Sequence, residues 1–216
     1  MNQPIKEIEM QGILSIDPLE GSPDWYWGTD YTSGDLYEAE ELFRDGHPVV
    51  QNKLLFVHYP DGKVLQPVFA QKGQYLGRPI FYEGKLAILL VDFSREKIWI
   101  LQADAAKKRT DVAAWLPLST VEDCYNLMLS ASPLMLARQG GDDKFQILWP
   151  EKTSFFIESS ESFLFRNGDR LYFSLWHEDP DYWEETIVRH LKTGEILDRF
   201  PGSLRTMPDG QIWALK

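Results

Sequence analysis

The sequence holds a single cysteine, Cys124, in 216 residues, so no disulfide can form within it. A lone thiol fits a reducing compartment better than an oxidising one. No apolar run approaches the roughly 18 residues needed to cross a bilayer. The first twelve residues carry Glu7 and Glu9 and lack the apolar segment of a signal peptide. These absences lead to the expectation of a soluble, cytoplasmic protein. Positive charge is also scarce, with 22 Lys and Arg against 33 Asp and Glu and a net charge of −11. Such a field repels phosphate backbones and anionic lipid, so neither nucleic acid nor a membrane is expected as partner.

Motifs with a built-in chemistry are missing as well. There is no phosphate-cradling G-x-x-x-x-G-K-[ST], no G-x-G-x-x-G, no H-E-x-x-H, no G-x-S-x-G elbow and no C-x-x-C pair. His47, His58, His177 and His190 are scattered with no ligand spacing, so no metal and no cofactor is expected. Cys124 follows Glu122 and Asp123, whose charges raise a thiol pKa rather than lower it, and it reads as a buried structural residue.

What the chain does have is apolar and aromatic mass: 44% hydrophobic residues, 13% aromatic, eight of them tryptophan. That suffices for a full core without cross-links. The strongest stretch is Glu83–Asp104. Gly84 opens it, Leu86–Val91 is unbroken apolar, Ser94–Lys97 turns the chain, and Ile98–Leu101 returns. Two strands and a turn are expected, both buried enough to lose polar alternation.

Similar units run along the chain. Lys53–Tyr59 and Lys63–Phe69 flank Pro60-Asp61-Gly62, where glycine supplies the positive φ of a tight reversal. Further hairpins are expected around Asn167-Gly168, Lys192-Thr193-Gly194 and Pro208-Asp209-Gly210. Val121–Arg138 reads either as a helix broken by Pro133 or as two strands. One helix is expected over Asp35–Arg44, with Asp35 as cap, Glu38 at the capping-box position and Gly46 closing the end.

Glycine, a polar residue, then an apolar strand with an aromatic recurs at Gly84, Gly168 and Gly210, beside returning arms such as Arg95–Leu101 and Thr193–Phe200. Over about residues 50–216 this grammar resembles the broad β-propeller class. The whole chain is also similar to bacterial proteins, a likeness that brings no catalytic residues with it. The expectation is one all-β domain over 1–216, propeller-like, with about four to five small blades and one short helix near 35–44. Ile5–Ile16 is expected as a strand that pairs with Gln211–Leu215 and closes the ring, because open sheet edges invite aggregation. An antiparallel sandwich or open barrel is the alternative.

Two clusters are candidate ligand-binding residues. Trp25, Trp27, Asp30 and Tyr31 set aromatic faces beside a carboxylate, the pattern of a sugar site; the competing reading is packing between blades. Trp176, His177 and Trp183 bracket an acidic loop suited to a cation or basic partner, or simply to solvent. No catalytic residue is singled out. The expected function is a non-enzymatic binding or scaffold module with an acidic surface, taking a protein or small-molecule ligand. The alternative is a carbohydrate-binding or carbohydrate-active propeller, with both clusters facing one cavity.

Overall fold

The computed structural model describes residues 5–31, 34–131, 133–178, 181–207 and 209–215. Strands follow one another as antiparallel meanders. The first sheet runs β1 (Asp17–Pro18), β2 (Trp25–Thr29), β3 (Leu54–His58), β4 (Lys63–Leu65). In the second, β5 (Gln74–Leu76) and β6 (Ile80–Tyr82) both pair with β7 (Lys85–Asp92), followed by β8 (Lys97–Asp104) and β9 (Arg109–Pro117). The third is β10 (Leu127–Ser130), β11 (Met135–Gln139), β12 (Lys144–Trp149), β13 (Thr153–Phe156). The fourth is β14 (Glu161–Asn167), β15 (Arg170–His177), β16 (Trp183–His190), β17 (Ile196–Pro201). A two-stranded ribbon, β18 (Ser203–Thr206) and β19 (Ile212–Leu215), comes last. The protein is an all-β propeller of four blades plus this ribbon. Val121–Arg138 resolves as two strands, β10 and β11.

The order of the blades follows from which faces are apolar. Along β7, Leu86, Ile88 and Leu90 enter a core shared with Trp25, Leu54 and Phe56 of the first sheet. The intervening Ala87, Leu89 and Val91 enter a second core with Leu129, Leu134 and Leu136 of the third. Side chains alternate across a strand, so an unbroken apolar run means a sheet covered on both sides. The next strand pair repeats the logic. Leu134 and Leu136 face the second sheet, whereas Met135 and Ala137 face Phe173 and Ile187 of the fourth.

The helix α1 (Leu36–Arg44) is inserted between β2 and β3. Asp35 caps it through a carboxylate that accepts from Tyr37 N (2.7 Å), and Glu38 reaches back to Asp35 N (2.8 Å). Gly46 (φ +79°) donates to Phe43 O and His47 to Leu42 O, which ends the helix on a left-handed residue. Leu36 and Ala39 dock it into the core between the second and third sheets, and Phe43 stacks on Phe93 at 5.5 Å.

Residues 5–16 depart from the expected closing strand. They form no strand; they lie as a strap across the first sheet, and β19 pairs only with β18 among the described residues. Two glycines admit the strap. A Cβ on Gly28 would meet Ser15 O at 2.5 Å and Ile13 Cγ2 at 2.8 Å, and one on Gly62 would meet Ile8 Cδ1 at 2.4 Å. Lys6 donates to the carbonyls of Pro60 (2.9 Å) and Asp61 (2.6 Å), and Lys53 to that of Gln11 (3.0 Å).

Between the third and fourth sheets a charged pair is sealed in. Arg189 donates to both carboxylate oxygens of Glu161 and to Gly194 O, and the Glu161 side chain has no exposure. Removing one partner leaves the other as an uncompensated buried charge. Arg189→Ala is expected to destabilise the fold by about 3–5 kcal/mol. The shift would be seen in the urea midpoint at unchanged slope. A loss under about 1 kcal/mol would mean the pair is solvated, as exposed pairs are.

Candidate functional site

The innermost strands do not meet. The ends of β1, β10, β14 and β18 and the break between β5 and β6 surround a passage along the propeller axis. Its lower part is a cavity of about 450 Å³ lined by Leu19, Glu20, Ser22, Arg78, Met128, Ser130, Phe163, Leu204 and Arg205, among others. Its upper part, about 440 Å³, is lined by Trp27, Tyr31, Asp35, Tyr75, Arg78, Asn126 and Met128, among others, beside the N-terminus of α1. Arg78 and Met128 belong to both walls, so the two cavities adjoin.

The upper mouth is aromatic and braced. Tyr31 meets Tyr75 edge-to-face at 5.3 Å, and Tyr75 Oη donates to Gly34 O at 3.3 Å. Burial, with Tyr31 and Asp35 adding, pushes the Tyr75 hydroxyl far above the ordinary phenol range, so it stays a donor at any working pH. Asn52 locks the floor by accepting from Leu76 N (2.5 Å) while donating to Thr29 (3.1 Å). Asp35 is the one carboxylate among this mouth's described lining residues. Burial and Glu38 raise its pKa, and the backbone N–H of Tyr37 opposes them.

The lower cavity carries Glu20, Arg78 and Arg205. Arg78 stands between Gly77 and Pro79, where the innermost strand of the second sheet is interrupted. It approaches Glu20 at 3.9 Å, too far for a hydrogen bond. Burial pushes the Glu20 carboxyl above its usual range, with Arg78 pulling it back. A carboxylate raised in the fold favours the native state when protonated, so its contribution is present in acid and lost as pH rises past the carboxylate range.

Each residue expected at a site has a definite place. Trp25 is 8% exposed, packed between the first two sheets and tilted against His58 at 4.8 Å. Trp27 packs against the same core yet reaches the upper mouth, as does Tyr31. Asp30 ties the ends of the helical insertion together, accepting from Lys53 N (2.5 Å) and Gln51 (3.2 Å). His177 and Trp183 face each other across the β15–β16 register and stack at 3.9 Å and 9°. His177 Nε2 lies 3.1 Å from Glu185, which also accepts from Arg199. Trp176 is 42% exposed on the same hairpin. The wall that holds Trp27 and Tyr31 includes none of Trp176, His177 and Trp183. Tyr75, Arg78, Asn126, Glu20 and Arg205 went unflagged; the one signal was Gly77-Arg78-Pro79, a breaker around a charge.

No family model and no curated protein matches the chain. Among solved structures it is similar to the β-propeller domain of the Trilobed protease from Pyrococcus furiosus, described as having an open velcro topology. The identity is 10% and the TM-score 0.47, with 91% of this chain and 60% of that one covered. The chain thus spans about 60% of the length of the propeller it matches. No helix among the described residues is long and apolar enough to cross a membrane.

Cys124 sits beside the upper mouth at 1% exposure, its N–H donating to the buried Glu40 carboxylate at 2.6 Å. Burial first, then Glu40, pushes the thiol far above its ordinary range. Thiolate is the reactive form. An aromatic disulfide reagent at pH 8 is therefore expected to label Cys124 only as fast as the chain unfolds, and at once in urea. Rapid labelling of the native protein would show the helix lifts from this mouth.

Proposed function

We propose that the protein is a binding module that takes a small polar ligand in the upper mouth of its axial passage. The observation that carries this reading is the wall itself: Trp27 and Tyr31 supply aromatic surface braced by the buried Tyr75, while Asn126 and Arg78 supply hydrogen-bonding groups. Ligand sites combine a mostly apolar concavity with a few placed polar groups. Binding rather than hydrolysis is supported by the carboxylates. Glycoside hydrolysis uses a pair of them across the bond. Here Asp35 alone lines the mouth, and it already accepts the helix N–H groups. The single buried cysteine and the acidic surface fit a cytoplasmic setting.

A carbohydrate is the ligand class that this wall suits best, since rings stack on the C–H faces of a sugar while amide and guanidinium groups bond its hydroxyls. A panel of mono- and disaccharides, read by thermal shift, tests it. A ligand at about a hundred times its Kd adds about 2.7 kcal/mol. For a chain of this length that raises Tm by roughly 5–10 °C. Trp27→Ala and Tyr31→Ala should each remove the shift, measured from their own unliganded Tm. If no sugar moves Tm, or if both variants respond as the parent does, the carbohydrate reading is wrong.

A further inference from the structure

The lower cavity gathers positive charge in a chain that has little to spare. Its charged lining residues are Arg78, Arg205 and Glu20, which gives an excess of one positive charge inside a protein of net charge −11. Elsewhere most guanidinium groups are engaged, the exposed Arg170 and the loosely paired Arg95 excepted. Arg109 holds Asp111, Arg138 holds Asp123, Arg166 holds Glu151, Arg189 holds Glu161 and Arg199 holds Glu158. Among the described residues Arg205 makes no ion pair and no side-chain hydrogen bond, and Arg78 has only the loose approach of Glu20. A guanidinium presents five donors in a fork that matches a carboxylate or phosphate. Two such forks line one concave wall here, with their donors unused by the protein.

The rest of the wall is of a different kind. Met128, Leu129, Phe163 and Leu204 supply apolar surface, and the volume of about 450 Å³ falls in the range of small-molecule sites. We propose that the lower half of the axial passage binds a small organic anion, its oxyanion group held by Arg78 and Arg205 and its apolar body laid against Met128 and Phe163. The shared chemistry is a planar or tetrahedral oxyanion on a hydrophobic body. Glu20 is the residue that disfavours weak anions, because its carboxylate lies beside Arg78 and repels a like charge. The site goes beyond the sugar reading, since Arg205 and Phe163 line the lower cavity alone.

Calorimetric titration of the purified chain at low salt with phenyl phosphate, benzoate and benzyl alcohol tests it. The two anions are expected to bind and the neutral alcohol not to, and the comparison of phenyl phosphate with benzoate identifies the preferred head group. Arg78→Ala and Arg205→Ala should each weaken binding about tenfold or more, the usual consequence of losing a charge-assisted bond. Glu20→Gln should tighten it. Arg95→Ala, at the β7–β8 turn outside the cavity, should change nothing. Circular dichroism confirms folding, and Arg205 is exposed, so its variant remains informative if Arg78→Ala folds poorly. Failure of both anions to bind at millimolar concentration overturns the proposal, as does binding that survives Arg205→Ala or falls equally in Arg95→Ala. Trp27→Ala separates the two readings: it should abolish a sugar response and leave anion affinity as it was.

Discussion

Two-sided burial of the central sheets is the constraint from which the remaining architecture follows. Ile88 and Leu89 are adjacent in sequence, both with no exposure, and they belong to different cores. Each buried aliphatic side chain contributes about 1.5–3 kcal/mol. A slip of β7 by one residue would exchange the two sets and put Ala87 where Ile88 fills space. The second and third sheets are therefore held in register against neighbours on both sides, and the direction in which sheets accumulate is fixed by which faces remain apolar. The first and fourth sheets each have one such neighbour. Beyond the first, the strap of residues 5–16 covers the face; beyond the fourth, Thr186 donates to Gly202 O at 2.9 Å and leads into the β18–β19 ribbon.

That arrangement also explains where charge can be tolerated. Between sheets, ionic groups survive only when fully answered, as Glu161 is by Arg189 and as Glu40 is by Arg44 and the N–H of Cys124. No buried side-chain donor or acceptor among the described residues lacks a partner. Along the axis the demand is different. The innermost strands diverge, water has access, and a side chain there can stay charged without a partner. An unanswered polar group is thus tolerated on the axis and not at the blade interfaces.

Much of the fold was legible because its signals were long and redundant. Glu83–Asp104 combined a doubly apolar run with a turn; Asp35, Glu38 and Gly46 wrote both ends of α1. The reading failed where the segments were short or where the partner was distant. β1 has two residues and β5 three, too few for a period of two to register. In residues 5–16 Ile8, Met10, Leu14 and Ile16 fall on alternate positions as in a strand, yet the segment forms none, because its packing on Gly28 and Gly62 is set by tertiary contact. The site suffered the same limit. Trp27 and Tyr31 stood out by their density of aromatic residues, and so did Trp25, although its role is to fill the first blade interface. Arg78, Arg205 and Asn126 carry no local pattern at all: they come from three different sheets or their connections and line the two adjoining cavities only through the tertiary fold.

An acidic protein with a small positive excess lining one cavity is not a contradiction. At physiological salt the Debye length is about 8 Å, so carboxylates on the outer strands are largely screened from the axis. What a ligand experiences inside the passage is set mainly by the few charges that line it at close range. The outer field acts earlier, on encounter: it turns away polyanions, whose many charges are spread over a long surface, more effectively than a small anion with one. Under the proposal above, surface and passage would act in sequence, the first against extended polyanions and the second for a compact oxyanion.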